Sequence, residues 1–150
     1  MKTNCTLVFD IGKTNQKYFV FDENRGVLDK GQTNIPTIVD EDEHPAEDIK
    51  EIVQWMTTNF ERLLNSDLFE IKNANISGHG ATFVHLDSEG EVVTPVYDYH
   101  KPIEENTFDS FYHKYGPEAN FSTQTGSKNV EMLNSGKQIY WLKTKRPELF

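Results

Sequence analysis

Ten residues near the start of the chain, Thr6-Leu7-Val8-Phe9-Asp10-Ile11-Gly12-Lys13-Thr14-Asn15, join a short apolar run to an aspartate and a glycine turn. The run Thr6–Phe9 predicts a strand, and the aromatic and β-branched segment Lys17–Asp22 predicts a second one. Val27–Ile35 predicts a third strand, after a turn at Asp22–Gly26. The chain is therefore expected to open with a β-meander.

A helix is predicted after this meander. Pro45 suits the first position of a helix, and Glu47 and Asp48 would lie in a first turn whose dipole favours acids. Apolar side chains then recur at three- and four-residue spacing, at Ile49, Ile52, Val53, Met56, Phe60, Leu63 and Leu64. This spacing places them on one face of the helix, which is expected to pack on the sheet.

The next strand indicates the fold class. Ile71–Ile76 predicts a fourth strand, which should lie parallel to the first and runs into Ser77-Gly78-His79-Gly80. Three antiparallel strands, a helix and a parallel strand are typical of an α/β domain with a mixed sheet. Such a sheet calls for a further crossover strand after the helix predicted at Gly136–Lys145, so either the chain is incomplete at its carboxyl end or the sheet is completed in another way.

The remaining segments are less regular. Thr82–Leu86 and Val92–Pro95 flank a turn and predict a hairpin. A short helix is expected over Glu104–Tyr115, and Gly116–Lys128 is expected to be a loop. The acidic run Asp40–Glu43 lacks the glycine and the bidentate glutamate of a calcium loop, and it predicts a solvated loop.

Composition excludes several classes of function. The chain has 150 residues, of which 36% are hydrophobic and 26% charged, as in a soluble single domain. Its net charge of −9 disfavours nucleic acid and anionic lipid as partners. No run approaches the roughly 20 apolar residues that span a bilayer. The one cysteine, Cys5, cannot form an internal disulfide, which favours the cytoplasm.

The glycine turn after the first strand invites comparison with a P-loop, in which lysine and threonine follow a glycine. The spacing excludes that motif, because Leu7 occupies the position of its first glycine and a strand follows the turn instead of a helix. Asp-x-Gly alone is more typical of an ordinary hairpin turn.

A different phosphate site remains open for the same segment. Asp10 is a strand-end carboxylate suited to hydrated Mg²⁺, and Gly12 would let backbone amides approach phosphate oxygens. Thr14 and Lys17 would add a hydroxyl and a positive charge. With its strand-turn-strand context, the segment resembles the first phosphate motif of the actin-like ATPase superfamily.

Three separated stretches carry a more specific pattern. They are Val8-Phe9-Asp10-Ile11-Gly12-Lys13-Thr14, then Ile76-Ser77-Gly78-His79-Gly80-Ala81-Thr82 through Leu86-Asp87-Ser88-Glu89-Gly90, and last Gly136-Lys137-Gln138-Ile139-Tyr140-Trp141-Leu142-Lys143 with Pro147-Glu148-Leu149-Phe150. Together they resemble the FGGY family of carbohydrate kinases, and the middle stretch is nearest to xylulose-type kinases. The resemblance covers nearly the whole chain but matches only the front part of a two-domain family.

The resemblance implies an α/β ribonuclease H-like (actin-like ATPase) domain with a mixed sheet and flanking helices. It also implies ATP-dependent transfer of the γ-phosphoryl group to a hydroxyl of a sugar or polyol, with Mg²⁺. Residues 1–150 would be a partial amino-terminal kinase domain, with the second, carboxy-terminal domain absent from this chain. Since the family's general-base aspartate and most of its adenine pocket belong to that domain, we expect no catalytic residue and no turnover here.

Site residues follow from the same resemblance. Asp10 would support the metal and the phosphates, and Gly12, Thr14 and Lys17 would line the phosphate loop. Lys13 departs from the family's usual small hydroxyl residue, and it is expected to point to solvent or to add charge near phosphate.

The sugar side is expected to involve Gly78, His79 and Gly80, with His79 acting through its ring or only through the loop backbone. Tyr99 would stand in for a tryptophan of the family. The sequence does not identify the sugar or the oligomeric state, and a homodimer is one of the open possibilities. Two alternatives remain: another actin-like phosphotransferase, and a non-catalytic module that binds sugar or nucleotide.

Overall fold

The structure is a computed structural model that describes residues 1–150 except for the side chain of Glu105. The chain forms two compact units. The first unit comprises residues 1–38 and 47–80, and the second comprises residues 39–46 and 81–150. Among the described residues, none of the helices is both long and apolar enough to cross a membrane.

Eleven strands and helices make up the two units. In chain order they are β1 (Thr3–Ile11), β2 (Gln16–Phe21), β3 (Val27–Thr33), β4 (Ile38–Val39), β5 (Pro45–Glu47), α1 (Ile49–Leu64), β6 (Phe69–Gly78), β7 (Val96–Tyr97), α2 (Asp109–Tyr115), α3 (Glu118–Thr125) and α4 (Ser135–Lys145). Short 3₁₀ turns at Glu105–Phe108, Glu131–Leu133 and Pro147–Leu149 complete the regular structure.

The first unit is built on a four-stranded sheet in the order β3-β2-β1-β6. β1, β2 and β3 pair antiparallel, and β6 pairs parallel to β1. Alternate residues of β1 and β2 point inward, and Leu7, Phe9 and Val20 are buried with Leu63 of α1. The predicted meander and the predicted parallel fourth strand are therefore confirmed.

Helix α1 begins later than the sequence predicts. Asp48 is its N-cap, and the Asp48 carboxylate accepts a hydrogen bond of 3.1 Å from the backbone N–H of Glu51. Pro45 and Glu47 lie in strand β5 instead of in the first helical turn. The prediction that Pro45 starts the helix was wrong because a capping carboxylate three residues later satisfies the free amides of the first turn.

Strand β3 approaches the core through a glycine. Gly31 is paired with Tyr18, and a Cβ atom on Gly31 would lie 2.3 Å from Cε1 of the Tyr18 ring. The Tyr18 hydroxyl accepts a hydrogen bond of 2.6 Å from Arg62 of α1, and it lies 3.3 Å from Asp29 of β3. The ring therefore covers Gly31 and connects β2, β3 and α1.

The second unit has an aromatic core. Tyr97, Phe108, Phe111 and Trp141 are buried together with Met132. Ring pairs within it meet edge to face, as Tyr97 and Trp141 do at 4.9 Å between centroids. Such pairs contribute about 0.5–1.5 kcal/mol beyond the apolar area that they bury. Trp141 is therefore a packing residue of this core.

Two expectations for the second unit were wrong. Gly116–Lys128 contains the helix α3, which ends at Gly126 in the left-handed conformation. Its periodicity is weak because Phe121 is its one large apolar residue, although Pro117 before it and Gly126 after it are typical helix boundaries. The hairpin at Thr82–Pro95 is reduced to a single bridge between Leu86 and Val92.

The prediction that Asp40–Glu43 is a solvated loop is also wrong for Asp40. The Asp40 carboxylate is fully buried and lies 2.5 Å from Nζ of Lys101, whose side chain is 3% exposed. Burial alone would raise the pKa of Asp40, but hydrogen bonds from Lys101 and from the backbone of His44 and Asp42 outweigh it and lower the pKa. Burial opposes protonation of Lys101, yet Asp40 and Asp42 hold the pKa of Lys101 above its ordinary value.

Helix α4 carries two further buried polar side chains, Lys137 and Gln138. Lys137 donates hydrogen bonds to the Tyr112 hydroxyl and to Asn129, and burial lowers the pKa of its amine. Gln138 donates to the carbonyl oxygens of Ala81 and Met132. These bonds connect α4 to helix α2, to Asn129 and the 3₁₀ turn that contains Met132, and to Ala81, all within the second unit.

Candidate functional site

The turn between β1 and β2 is closed by backbone contacts. The amide of Gly12 donates a hydrogen bond of 3.1 Å to the carbonyl oxygen of Asn15. A Cβ atom on Gly12 would lie 2.9 Å from the same oxygen, so any other residue would force this turn open. The expected need for glycine at position 12 thus has a local cause, the close approach of the Asn15 carbonyl.

Asp10 and Lys17 face each other across this turn. They are partners in the β1–β2 register, and Lys17 Nζ lies 4.0 Å from Asp10 Oδ2. The two side chains are 42% and 39% exposed, so the ion pair adds little to stability, about 0–1 kcal/mol. Both charges remain accessible to a ligand at the end of β1.

Two amide side chains, Gln16 and Asn34, hydrogen-bond to the backbone of this turn. The sequence analysis did not identify either of them. The buried Gln16 donates a hydrogen bond of 3.2 Å to the Gly12 carbonyl and accepts one of 3.2 Å from the Ile35 amide. Asn34 donates one of 2.6 Å to the Thr14 carbonyl. The available signal was Gln16 itself, a polar residue on the inward face of β2, whose other inward residues are Tyr18 and Val20.

The Gly-His-Gly loop (Gly78-His79-Gly80) begins beside this turn. Because β6 is parallel to β1, Ile11 pairs with Gly78, and the two strands end at the same edge of the sheet. The His79 backbone N–H donates to the Ile11 carbonyl at 3.1 Å, and Nδ1 of its ring lies 3.1 Å from the same oxygen. His79 is thereby held against the residue that precedes Gly12.

Glu47 lies between the turn and the loop. One of its oxygens, Oε1, is 3.7 Å from Nζ of Lys13 and 3.7 Å from Nε2 of His79. The Glu47 side chain is only 6% exposed. The expectation that Lys13 points to solvent was therefore wrong, since its amine lies against this buried carboxylate. Glu47 was missed as a site residue because its sequence position suggested a helical first turn.

The remaining predicted residues divide between the two units. A Cβ atom on Gly78 or on Gly80 would meet no described atom within 4 Å, so open space lies beside both residues. Tyr99 belongs to the second unit, where its ring lies 4.2 Å from that of His100. The structure thus brings Asp10, Gly12, Lys17 and His79 to one sheet edge within the first unit.

The donor set at this edge fits a metal that is only partly held by protein. Among the described residues, no group of three or more His, Cys, Asp or Glu side chains could enclose an ion. Mg²⁺ is commonly bound through one or two carboxylates together with substrate phosphates and water. A half-exposed Asp10 beside a turn of backbone amides is compatible with that mode of binding.

Comparison with known families shows where the chain belongs. The model of the FGGY family of carbohydrate kinases, N-terminal domain, matches residues 5–150. The chain belongs to this family. The α/β ribonuclease H-like fold class predicted from the sequence, with its mixed sheet and flanking helices, is confirmed.

Solved structures with the same fold include several family members. A carbohydrate kinase from Novosphingobium aromaticivorans is 26% identical with a TM-score of 0.76, and the match covers 99% of this chain. A ligand-bound xylulose kinase from Lactobacillus acidophilus (20% identity, TM-score 0.74, 98% of this chain) and a Plasmodium falciparum glycerol kinase with ADP (20%, 0.78, 99%) share the fold.

This FGGY-family chain corresponds to a part of each of those proteins. The match covers 30% of the length of each of the three solved chains. No curated protein gives a significant match to the sequence.

Proposed function

We propose that this chain contributes the phosphate turn and part of the sugar site of a kinase that transfers the γ-phosphoryl group of ATP to a hydroxyl of a sugar or polyol. One observation carries the proposal: the Asp10–Lys17 turn and the Gly-His-Gly loop end adjacent parallel strands, at one edge of the sheet. Phosphoryl transfer depends mainly on positioning and charge stabilisation, and both groups of residues offer these.

The phosphate side would be formed by the turn after β1. Lys17 presents an accessible ammonium group to phosphate oxygens, and the exposed Thr14 adds a hydroxyl. Gly12 keeps the turn tight, so that its backbone amides can approach the phosphates closely.

Asp10 is the proposed support for the metal. Mg²⁺, when bound, would neutralise the charge that develops on the transferring phosphoryl group. Asp10 would orient the metal's water ligands from its fixed position at the end of β1, while Lys17 balances the carboxylate charge.

The acceptor side would be formed by the Gly-His-Gly loop. The open space beside Gly78 and Gly80 leaves their backbone groups accessible to sugar hydroxyls. Because the Ile11 carbonyl can only accept, Nδ1 of His79 donates to it, and the ring is held in one orientation. Tyr99 is proposed as a further sugar contact.

A second domain is proposed to supply the remaining chemistry. No residue of this chain is assigned as the general base, and we propose that an aspartate of a following carboxy-terminal domain has that role. Residues 1–150 alone are then expected to show no turnover. We also propose a cytoplasmic location, because the single cysteine, Cys5, is buried and free.

ADP release tests the proposal. The protein from the natural reading frame and the 150-residue chain are each supplied with Mg-ATP and a panel of ketoses, aldoses and polyols. Sugar-dependent ADP from the longer product alone is the expected result. A rate well above background from the 150 residues would refute the assignment of the base to another domain. No turnover from either folded sample would favour a non-catalytic module.

A further inference from the structure

We infer that Glu47 is a positioning residue that couples the phosphate turn to the Gly-His-Gly loop, a role that rests on the proposed function. It touches neither phosphate nor sugar in this scheme. It would act on both through Lys13 and His79, whose charged or polar nitrogens lie on either side of its carboxylate.

The backbone around Glu47 holds it in place. Glu47 is the last residue of β5, and the next residue, Asp48, is the N-cap of α1. A residue between a strand and a capped helix has little freedom to move along the chain. Its buried carboxylate is therefore a fixed reference point for the more exposed groups around it.

A buried carboxylate needs compensating charge or hydrogen bonds. Oε1 of Glu47 has two nitrogens at 3.7 Å, one from each binding segment. This separation exceeds an ordinary hydrogen bond, so the attraction between the Glu47 carboxylate and the Lys13 ammonium group is mainly electrostatic and depends on the charge of Glu47 more than on its shape. The same carboxylate attracts the His79 ring when that ring carries both protons, because the proton on Nδ1 is already donated to Ile11. An isosteric amide at position 47 would keep the volume and lose most of the attraction.

The two contacts have different consequences for binding. His79 is fixed by Ile11 through Nδ1, and the Glu47 carboxylate lies 3.7 Å from the opposite nitrogen of the ring. Lys13 reaches Glu47 through its long side chain, which brings its amine to 3.7 Å from the same carboxylate. Loss of the Glu47 charge would weaken the electrostatic attraction on both groups and reduce the preorganisation of both subsites.

A purely structural role predicts something different. If Glu47 only stabilised the fold, its replacement would lower stability without changing the kinetics of the molecules that remain folded. A positioning role predicts a change in kcat/KM at full folding, together with a change in the environment of the His79 ring.

The test uses Glu47→Gln in the full-length protein, with Glu61→Gln as the matched control because Glu61 is an exposed carboxylate of α1. We expect Glu47→Gln to lower kcat/KM for the sugar by about tenfold or more, within the ~10²-fold that a 1 Å misplacement can cost. KM for ATP should rise by a smaller factor through Lys13. Glu61→Gln should leave both parameters unchanged.

A spectroscopic readout separates this role from the proposed function. The ¹⁵N shift of His79 Nε2, assigned with His79→Gln, should change in Glu47→Gln and not in Glu61→Gln. An unchanged shift, or unchanged kcat/KM in a folded Glu47→Gln, overturns the inference. If the wild-type protein shows no sugar-dependent ADP release, the proposed function fails and the shift alone decides whether Glu47 holds His79.

Glu47→Asp covers the case in which Glu47→Gln does not fold. It keeps the charge but withdraws the carboxylate by one methylene, so partial retention of kcat/KM and an intermediate His79 shift are expected. Wild-type values for both in folded Glu47→Asp would contradict a role that depends on distance.

Discussion

One ion pair of the first unit and one of the second differ in exposure and in role. In the first unit, Asp10 and Lys17 stand at the end of β1 and are about two-fifths exposed. In the second unit, Lys101 and Asp40 are paired in the interior. An accessible pair contributes little stability but can meet a ligand, whereas a buried pair is a structural element whose disruption is costly.

The cores of the two units also differ in how regular their packing is. The first unit buries one face of a regular sheet against α1, and its contacts follow strand and helix periodicity. The second unit surrounds Lys137 and Gln138 with short helices and irregular segments, joined by bonds from side chains to backbone carbonyls and to a hydroxyl. Substitutions of the two charged pairs should therefore impair activity at Asp10 and Lys17 and stability at Asp40 and Lys101.

The largest effect is expected from Lys101→Met. Removing the ammonium group leaves the Asp40 carboxylate buried without its partner, which costs about 3–5 kcal/mol in the free energy of unfolding. Urea denaturation followed by circular dichroism measures the loss. A variant that also carries Asp40→Asn should recover much of it, because no unpaired charge then remains and the amide oxygen can still accept from the backbone of Asp42 and His44. A stability loss below about 1 kcal/mol in Lys101→Met would contradict this account of the second unit.

The Asp40–Lys101 pair also predicts that the free energy of unfolding falls at acid pH. The pKa of Asp40 is lowered in the folded protein, so its contribution is present above the unfolded pKa of about 3.9 and is lost as the pH falls below it. The double variant at positions 40 and 101 should lose less stability between pH 5 and pH 3, as measured by thermal unfolding.

The second largest effect is expected from Asp10→Asn in the full-length protein. Loss of the carboxylate should lower kcat by about 10²–10³-fold, comparable to removal of one transition-state contact, while sugar binding changes much less. Thermal unfolding should be nearly unchanged, because the Asp10–Lys17 pair is exposed. Asp67→Asn, at an exposed site of the same unit, is the control. Equal loss of phosphoryl transfer and sugar binding would make Asp10 a structural or sugar-binding residue.

Gly31→Ala tests packing within the first unit. The added methyl group would overlap the Tyr18 ring, and we expect a loss of about 1–3 kcal/mol. Gly136→Ala in α4 is the counterpart in the second unit, where a Cβ atom meets no described atom within 4 Å. That change should leave stability unchanged or raise it by up to about 1 kcal/mol. Similar losses at the two glycines in urea denaturation would contradict the packing described for Gly31.

The smallest effect is expected from Asp48→Ala, which removes the N-cap of α1. The loss should be about 1 kcal/mol, since one amide of the first turn loses its side-chain acceptor. Asn134 is the corresponding residue before α4, but its side chain accepts from the Val130 amide instead of capping the helix. Amide hydrogen exchange should therefore increase at the start of α1 in Asp48→Ala and at Val130 in Asn134→Ala. Increased exchange at the start of α4 in Asn134→Ala would contradict this distinction.

The parts of the fold that could be predicted share a physical property. β1, β2, β3, α1 and β6 follow from alternation, from a 3.6-residue stripe and from turn residues, all of which are local patterns. α3 lacks such a pattern, and its start and end residues were the only local signals. The burial of Asp40 could not be predicted, because its partner Lys101 lies 61 residues away.

The residues of the candidate site also fall into a group that the sequence indicated and a group that it did not. Asp10, Gly12 and His79 could be selected because they follow strands within the stretches that resemble the FGGY family, although Asp-x-Gly alone is typical of a hairpin turn. Gln16 and Glu47 could not, because their roles depend on neighbours from other elements.

The sequence by itself determined the family, the order of β1, β2, β3, α1 and β6 and the identity of the groups at the two strand ends. Those features are encoded in residue types and their spacing along the chain. Only the tertiary structure decided that Glu47 lies between Lys13 and His79, and that Lys101 is buried with Asp40. The reason is that burial and Coulomb attraction depend on distances in space, which local periodicity does not specify.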